Sequence, residues 1–97
     1  MHVDEITSLL ASQLPEATIV VKNPLGDGMH FHALLISAEF EGMPMLKRHR
    51  LVTNPLLEKF KSDEVHALSI KTYAPSELTK HTETLKKFGL RPESISS

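Results

Sequence analysis

Residues 18–37 read Thr-Ile-Val-Val-Lys-Asn-Pro-Leu-Gly-Asp-Gly-Met-His-Phe-His-Ala-Leu-Leu-Ile-Ser, and this stretch decides the fold class. Thr18 to Lys22 carries the β-branched run Ile19-Val20-Val21 and predicts a strand. Asn23-Pro24-Leu25-Gly26-Asp27-Gly28 is dense in residues that end regular structure, so it predicts a loop. His30 to Ser37 turns apolar again and predicts a second strand. A connection this short makes the two strands an antiparallel pair.

Working outward, Asp4 to Leu14 places Ile6, Leu9, Leu10 and Leu14 at helical spacing before Pro15 stops the pattern. On the other side Glu41-Gly42-Met43-Pro44 breaks the chain. Met45 to Thr53 predicts a second helix with Met45, His49 and Val52 on one face. Asn54-Pro55 then supplies an N-cap and a first-turn proline for a third helix through Leu56, Leu57 and Phe60. Val65 to Tyr73 alternates as a third strand. Pro75-Ser76-Glu77 opens a last helix with Leu78 and Leu85, ended by Gly89 and Pro92. The order α-β-β-α-α-β-α predicts a single α/β (α+β) domain over residues 1–92. Its three-stranded mixed sheet has helices packed on one face, and residues 93–97 form a flexible tail.

Composition narrows the chemistry. The 97-residue chain fits one domain and has no Cys, so disulfides, thiolate metal sites and a cysteine nucleophile are excluded. Eleven basic and twelve acidic residues give a net charge of -1, which argues against a strongly basic nucleic-acid binder but leaves room for a local patch. The start, Met1-His2-Val3-Asp4-Glu5, has no basic leader, and the apolar run Ala33–Ile36 is too short for a bilayer. A soluble cytoplasmic protein without a membrane role is expected. Six histidines are scattered and none forms an H-E-x-x-H zinc pair. No nucleophile elbow or phosphate loop appears, so an enzyme is not expected.

Three segments together resemble the BolA family. Gly26-Asp27-Gly28-Met29-His30-Phe31 is a loop entering a strand that begins His-Phe. Phe40-Glu41-Gly42 followed by Lys47-Arg48-His49-Arg50-Leu51-Val52 is similar to the family's F-x-G and R-H-R-x-V. Val65-His66-Ala67-Leu68-Ser69-Ile70, then Thr72-Tyr73-Ala74-Pro75-Ser76-Glu77, is similar to its H-A-L-S-I and T-P-x-E-W. The match spans most of residues 3 to 78. It implies a KH-like fold and an adaptor that pairs with a monothiol glutaredoxin, monomeric alone and heterodimeric with that partner. The pair would hold a two-iron two-sulfur cluster with glutathione, in cluster trafficking or iron regulation; the chain would have no cofactor of its own. Some family members are described as DNA-binding transcription factors, which is the alternative reading.

The resemblance implies His66 as a cluster ligand; an imidazole can replace a thiolate on one iron. Read from the residues alone, His66 is in phase with Leu68 and Ile70 and fits a core-edge histidine better than a ligand; the resemblance reverses that order. The second ligand departs from the family pattern. Asp27, four before Phe31, stands where some relatives carry Cys, and a carboxylate matches a soft sulfide cluster poorly. His30 in the same loop mouth is the better substitute, and it equally fits a structural strand residue. Lys47, Arg48, His49 and Arg50 form the densest basic run, fitting a partner's acidic face, glutathione carboxylates or phosphates. The plain alternative is a solvated helix face with His49 turned inward. No G-x-x-G clamp exists for single-stranded RNA. Leu78 stands where the family commonly has Trp, and Ala74 where a capping Thr is expected.

Overall fold

A computed structural model of the chain describes residues 2–62 and 67–91. The first helix, α1 (Val3–Gln13), starts where His2 Nδ1 accepts the Asp4 N–H at 3.1 Å, and the Glu5 carboxylate accepts the His2 N–H. Asp4 and Glu5 place negative charge where the helix dipole is positive. Strands β1 (Thr18–Lys22) and β2 (His30–Ile36) pair antiparallel, from Thr18 against Ile36 to Lys22 against His32. A short 3-10 turn at Ala38–Phe40 leads to α2 (Met45–Thr53), a second 3-10 turn at Asn54–Leu56 and α3 (Leu57–Lys61). Strand β3 (Ala67–Tyr73) then pairs parallel to β2, His30 against Ala67 and Ile36 against Tyr73. The sheet order is β1-β2-β3. The mixed three-stranded sheet of the expected α+β fold is therefore present, and α2 and α3 form its crossover. Val65 and His66 of the expected third strand lie outside the described residues, as do residues 92–97 with the expected domain limit and tail.

Alternation along β2 divides its side chains between two cores. Phe31, Ala33 and Leu35 join Ile6 and Leu10 of α1, Val52 of α2, and Phe40 and Leu56, with Ile19, Val21, Leu68 and Ile70 packed against them. On the opposite face Leu34 and Ile36 join Tyr73, Leu78 and Leu85, flanked by Val20, Phe88 and Leu90. The expectation that all helices share one face is thus corrected. α1 and α2 cover one face, and the C-terminal segment crosses to the other. The reason lies in β2, a central strand that is apolar on both sides and so needs two covers.

The expected single last helix is also divided. A 3-10 turn at Pro75–Lys80 is followed by α4 (Thr82–Lys87), with His81 in a non-helical conformation between them. His81 stacks on the Tyr73 ring, 4.3 Å between centroids. Beyond α4, Gly89 has φ 75°, and its N–H reaches the Lys86 carbonyl while the Leu90 N–H reaches that of Leu85. This is the left-handed helix stop that glycine permits. The segment covers the end of the second face near Leu34 and Ile36. The other end, around His30 and His32, is left open.

Candidate functional site

The open end is framed by the loop joining β1 to β2. Two side chains hold the loop's shape. The Asn23 amide, oriented to satisfy both partners, accepts the Gly28 N–H at 2.8 Å and donates to the His30 carbonyl at 2.9 Å. Asp27 Oδ1 accepts the N–H groups of Met29 and His30, at 2.9 and 3.1 Å. Asp27 Oδ2 lies 2.6 Å from Nδ1 of His30. The Met29 amide, then the His30 ring, hold the Asp27 carboxyl down to about 2. It stays an anion at any physiological pH. Around this pair Leu25 is 68% exposed and Met29 41%, so the loop tip is apolar and faces solvent.

Both loop-side ligand candidates are therefore brought together, in different roles. The Asp27 carboxylate is occupied by two amides and an imidazole, which removes it as a first choice for a cluster. Its effect on His30 is what matters: a carboxylate on Nδ1 fixes the orientation of the ring, the arrangement found behind metal-bound histidines. The donor chemistry at His30 fits a borderline-soft metal; that at Asp27 does not. Among the described residues no three His, Cys, Asp or Glu side chains converge on a common point. An iron site that draws on the described residues would need ligands from elsewhere. His66 lies outside the described residues.

The basic run on α2 does not act as one surface. Lys47, His49 and Arg50 are exposed, but Arg48 is only 5% exposed. Its guanidinium binds both Glu77 carboxylate oxygens, at 2.8 and 3.1 Å. It also donates to the carbonyls of Phe40, Met43 and Thr72, at 2.8, 2.9 and 3.2 Å. Arg48 is therefore corrected from a binding residue to an internal brace joining α2, β3 and the 3-10 turn at Pro75–Lys80. The inward-turned His49 is corrected too: the buried line of α2 is Arg48 and Val52, one turn apart. The Arg48 contact holds the Glu77 carboxyl down to about 2, with help from the Ala74 N–H, and Glu77 in turn raises Arg48.

Sequence reasoning missed Glu77. It also missed what replaces the absent Thr cap at Ala74: Glu77 accepts the Ala74 N–H at 2.8 Å, and Glu41 accepts the Ser76 N–H and hydroxyl at 3.1 and 2.9 Å. The signal was a Glu three residues into a Pro-started turn, the far half of a capping box. No helix among the described residues is long and apolar enough to cross a membrane.

A mixed three-stranded sheet with a crossover of two helices, an ordered loop at its open end and a braced R-H-R helix define a small α+β domain of the BolA type. Residues 10–77 match the family described as BolA-like protein. The acid stress protein IbaG of Escherichia coli K12 is 36% identical over 77 residues, covering 79% of this chain and 88% of that protein. Among solved structures, a bolA protein homologue from Coxiella burnetii superposes with a TM-score of 0.65 at 39% identity, over 81% of this chain and 97% of its own. BolA1 from Arabidopsis thaliana gives 0.69 at 34% identity, over 77% and 93%. The chain belongs to the BolA family.

Proposed function

We propose that this chain is a non-enzymatic adaptor that docks on a monothiol glutaredoxin and co-ligates a two-iron two-sulfur cluster with it and with glutathione. His66 and His30 are the ligands assigned to this side. The observation that carries the reading is the Asp27–His30 pair at 2.6 Å, in a loop whose tip is apolar and exposed, in a chain of this family. A carboxylate-held imidazole is built to bind through its other nitrogen. Leu25 and Met29 beside it would exclude water from a docked interface. His66 precedes Ala67, the register partner of His30, by one residue in the sequence. With the cluster bound, the imidazoles would supply nitrogen ligation, which raises its reduction potential relative to full thiolate ligation. The chain's own part is to dock, to orient His30 through Asp27, and to shield the site. The compartment assigned to it is the cytoplasm.

The test is a visible absorption and circular dichroism titration of cluster-loaded monothiol glutaredoxin with glutathione. Wild type should change the cluster spectrum, His66→Ala should abolish the change, and His30→Ala should weaken it. Unchanged spectra with wild type, alongside retained docking, would leave a metal-free interaction domain instead. Duplex DNA binding through α2 is the second reading, and it rests on Lys47, His49 and Arg50 being exposed together.

A further inference from the structure

Beyond that reading, we propose that the open half of the second sheet face is a binding groove for a small phosphate-bearing ligand. The groove, of about 420 Å³, runs between the sheet and α4. Lys22 of β1, Lys71 of β3 and Lys87 of α4 line it, with His32, Ser69 and Thr84 between them. Register explains the convergence: Lys22 opposes His32, and His32 opposes Ser69, so one row of the sheet carries a cation, an imidazole and a hydroxyl. Lys71 lies two residues beyond Ser69 and so shares its face.

Charge balance points to an anion. The lining contains three lysines and no carboxylate, in a chain whose net charge is -1. Among the described residues neither Lys71 nor Lys87 has an ion-pair partner. Lys22 is oriented: its ammonium donates to the Lys87 carbonyl and stands 5.3 Å from the centre of the Phe88 ring. That contact ties α4 to β1, and both lysines line the groove. Like charges gathered without a counterion repel one another, and a bound anion relieves the repulsion. Ammonium, imidazole and hydroxyl groups from three elements suit a ligand with several acceptor oxygens, hence phosphate.

The ligand's body has a place as well. A second hollow of about 320 Å³ shares Pro24, His32 and Ser69 with the groove and continues it past Leu25, His30, Phe31 and Ala67, so it reaches the Asp27–His30 pair. A cationic end joined to an apolar annex fits a nucleotide better than a bare ion, and the combined size falls in the range of small-ligand sites.

The test uses the full chain alone, with no iron and no glutaredoxin, so its failure is separate from failure of the cluster reading. Amide chemical shifts are followed while inorganic phosphate, and then adenosine 5′-monophosphate, is added at constant ionic strength. Shifts confined to Lys22, His32, Ser69, Lys71, Thr84 and Lys87 are expected. Lys71→Gln and Lys87→Gln should each weaken binding about fivefold, while Lys61→Gln on α3 leaves it unchanged. Tighter binding of the nucleotide, with shifts spreading to Leu25 and Phe31, would place its base in the annex. Equal affinity would assign the site to phosphate alone. Shifts spread over Lys47, Arg50 and Lys61, or affinity indifferent to both groove substitutions, would overturn the proposal.

Discussion

Arg48 sits where the family's basic helix would be read as a contact surface, yet five hydrogen bonds point it inward. Removing such a side chain takes the cation from the Glu77 carboxylate and a donor from each of three carbonyls. Arg48→Ala should therefore cost about 3–4 kcal/mol, read from urea denaturation. Arg48→Lys should recover part of this, because an ammonium cannot reproduce the bidentate fork. The same contact sets an acid limit. Glu77 is held at about 2 when folded, against an ordinary 4.5. Above about 4.5 the carboxylate is ionised in both states, and its full contribution to stability is present. As pH falls from about 4.5 towards about 2 the unfolded chain takes up the proton first, so the contribution is lost. Asp27, also held at about 2, acts with the same sign. Glu77→Gln should lower stability at neutral pH and flatten its decline in acid, as thermal melts at about pH 7 and about pH 3 would show.

At the scale of elements, the C-terminal segment shows how context divides one helical pattern. Pro75 and Glu77 open a turn, His81 leaves helical geometry to stack on Tyr73, and Thr82–Lys87 starts again. Leu78 and Leu85 reach the second core from separate pieces. The stop at Gly89 is a local backbone requirement, since a φ of 75° is unfavourable for any residue with a Cβ. Gly89→Ala should cost about 1 kcal/mol, and native-state hydrogen exchange should place the loss in α4 rather than in β2. Helix α2 was expected to bury Met45, His49 and Val52. Val52 is buried, but Arg48 replaces the other two, because its guanidinium lies over the Phe40 ring, 5.5 Å from the centroid, while its donors find Glu77 and three carbonyls. Hydrophobic periodicity assigns no inward value to an arginine, so the phase of this helix was misread by one position.

For the whole molecule, two sheet faces do different work. One is sealed by α1 and α2. The other is half sealed by the C-terminal segment and half open beside the Asp27–His30 loop. Withdrawing Arg48 also limits any DNA-binding surface on α2 to Lys47 and Arg50 as fixed cations. Two phosphate contacts give a slope of about −2 for log affinity against log salt concentration. A filter-binding series over salt should find that slope or a shallower one; a much steeper slope would mean that other cations, such as those of the groove, carry the contact.

Sequence alone determined the element order, the antiparallel first pair, the mixed three-stranded sheet and the family. These depend on local signals: β-branched runs, Pro and Gly punctuation, helical spacing and the spacing of short motifs. Through the family resemblance it also singled out Asp27 and His30 as candidate ligands in the loop. Only the tertiary structure decided which face each element covers, that Asp27 orients His30, that Arg48 belongs to Glu77, and that Lys22, Lys71 and Lys87 line one groove. Each of these joins residues far apart in the chain or depends on which way a side chain turns. Both are settled by packing two cores against one central strand, a long-range balance that no local pattern records.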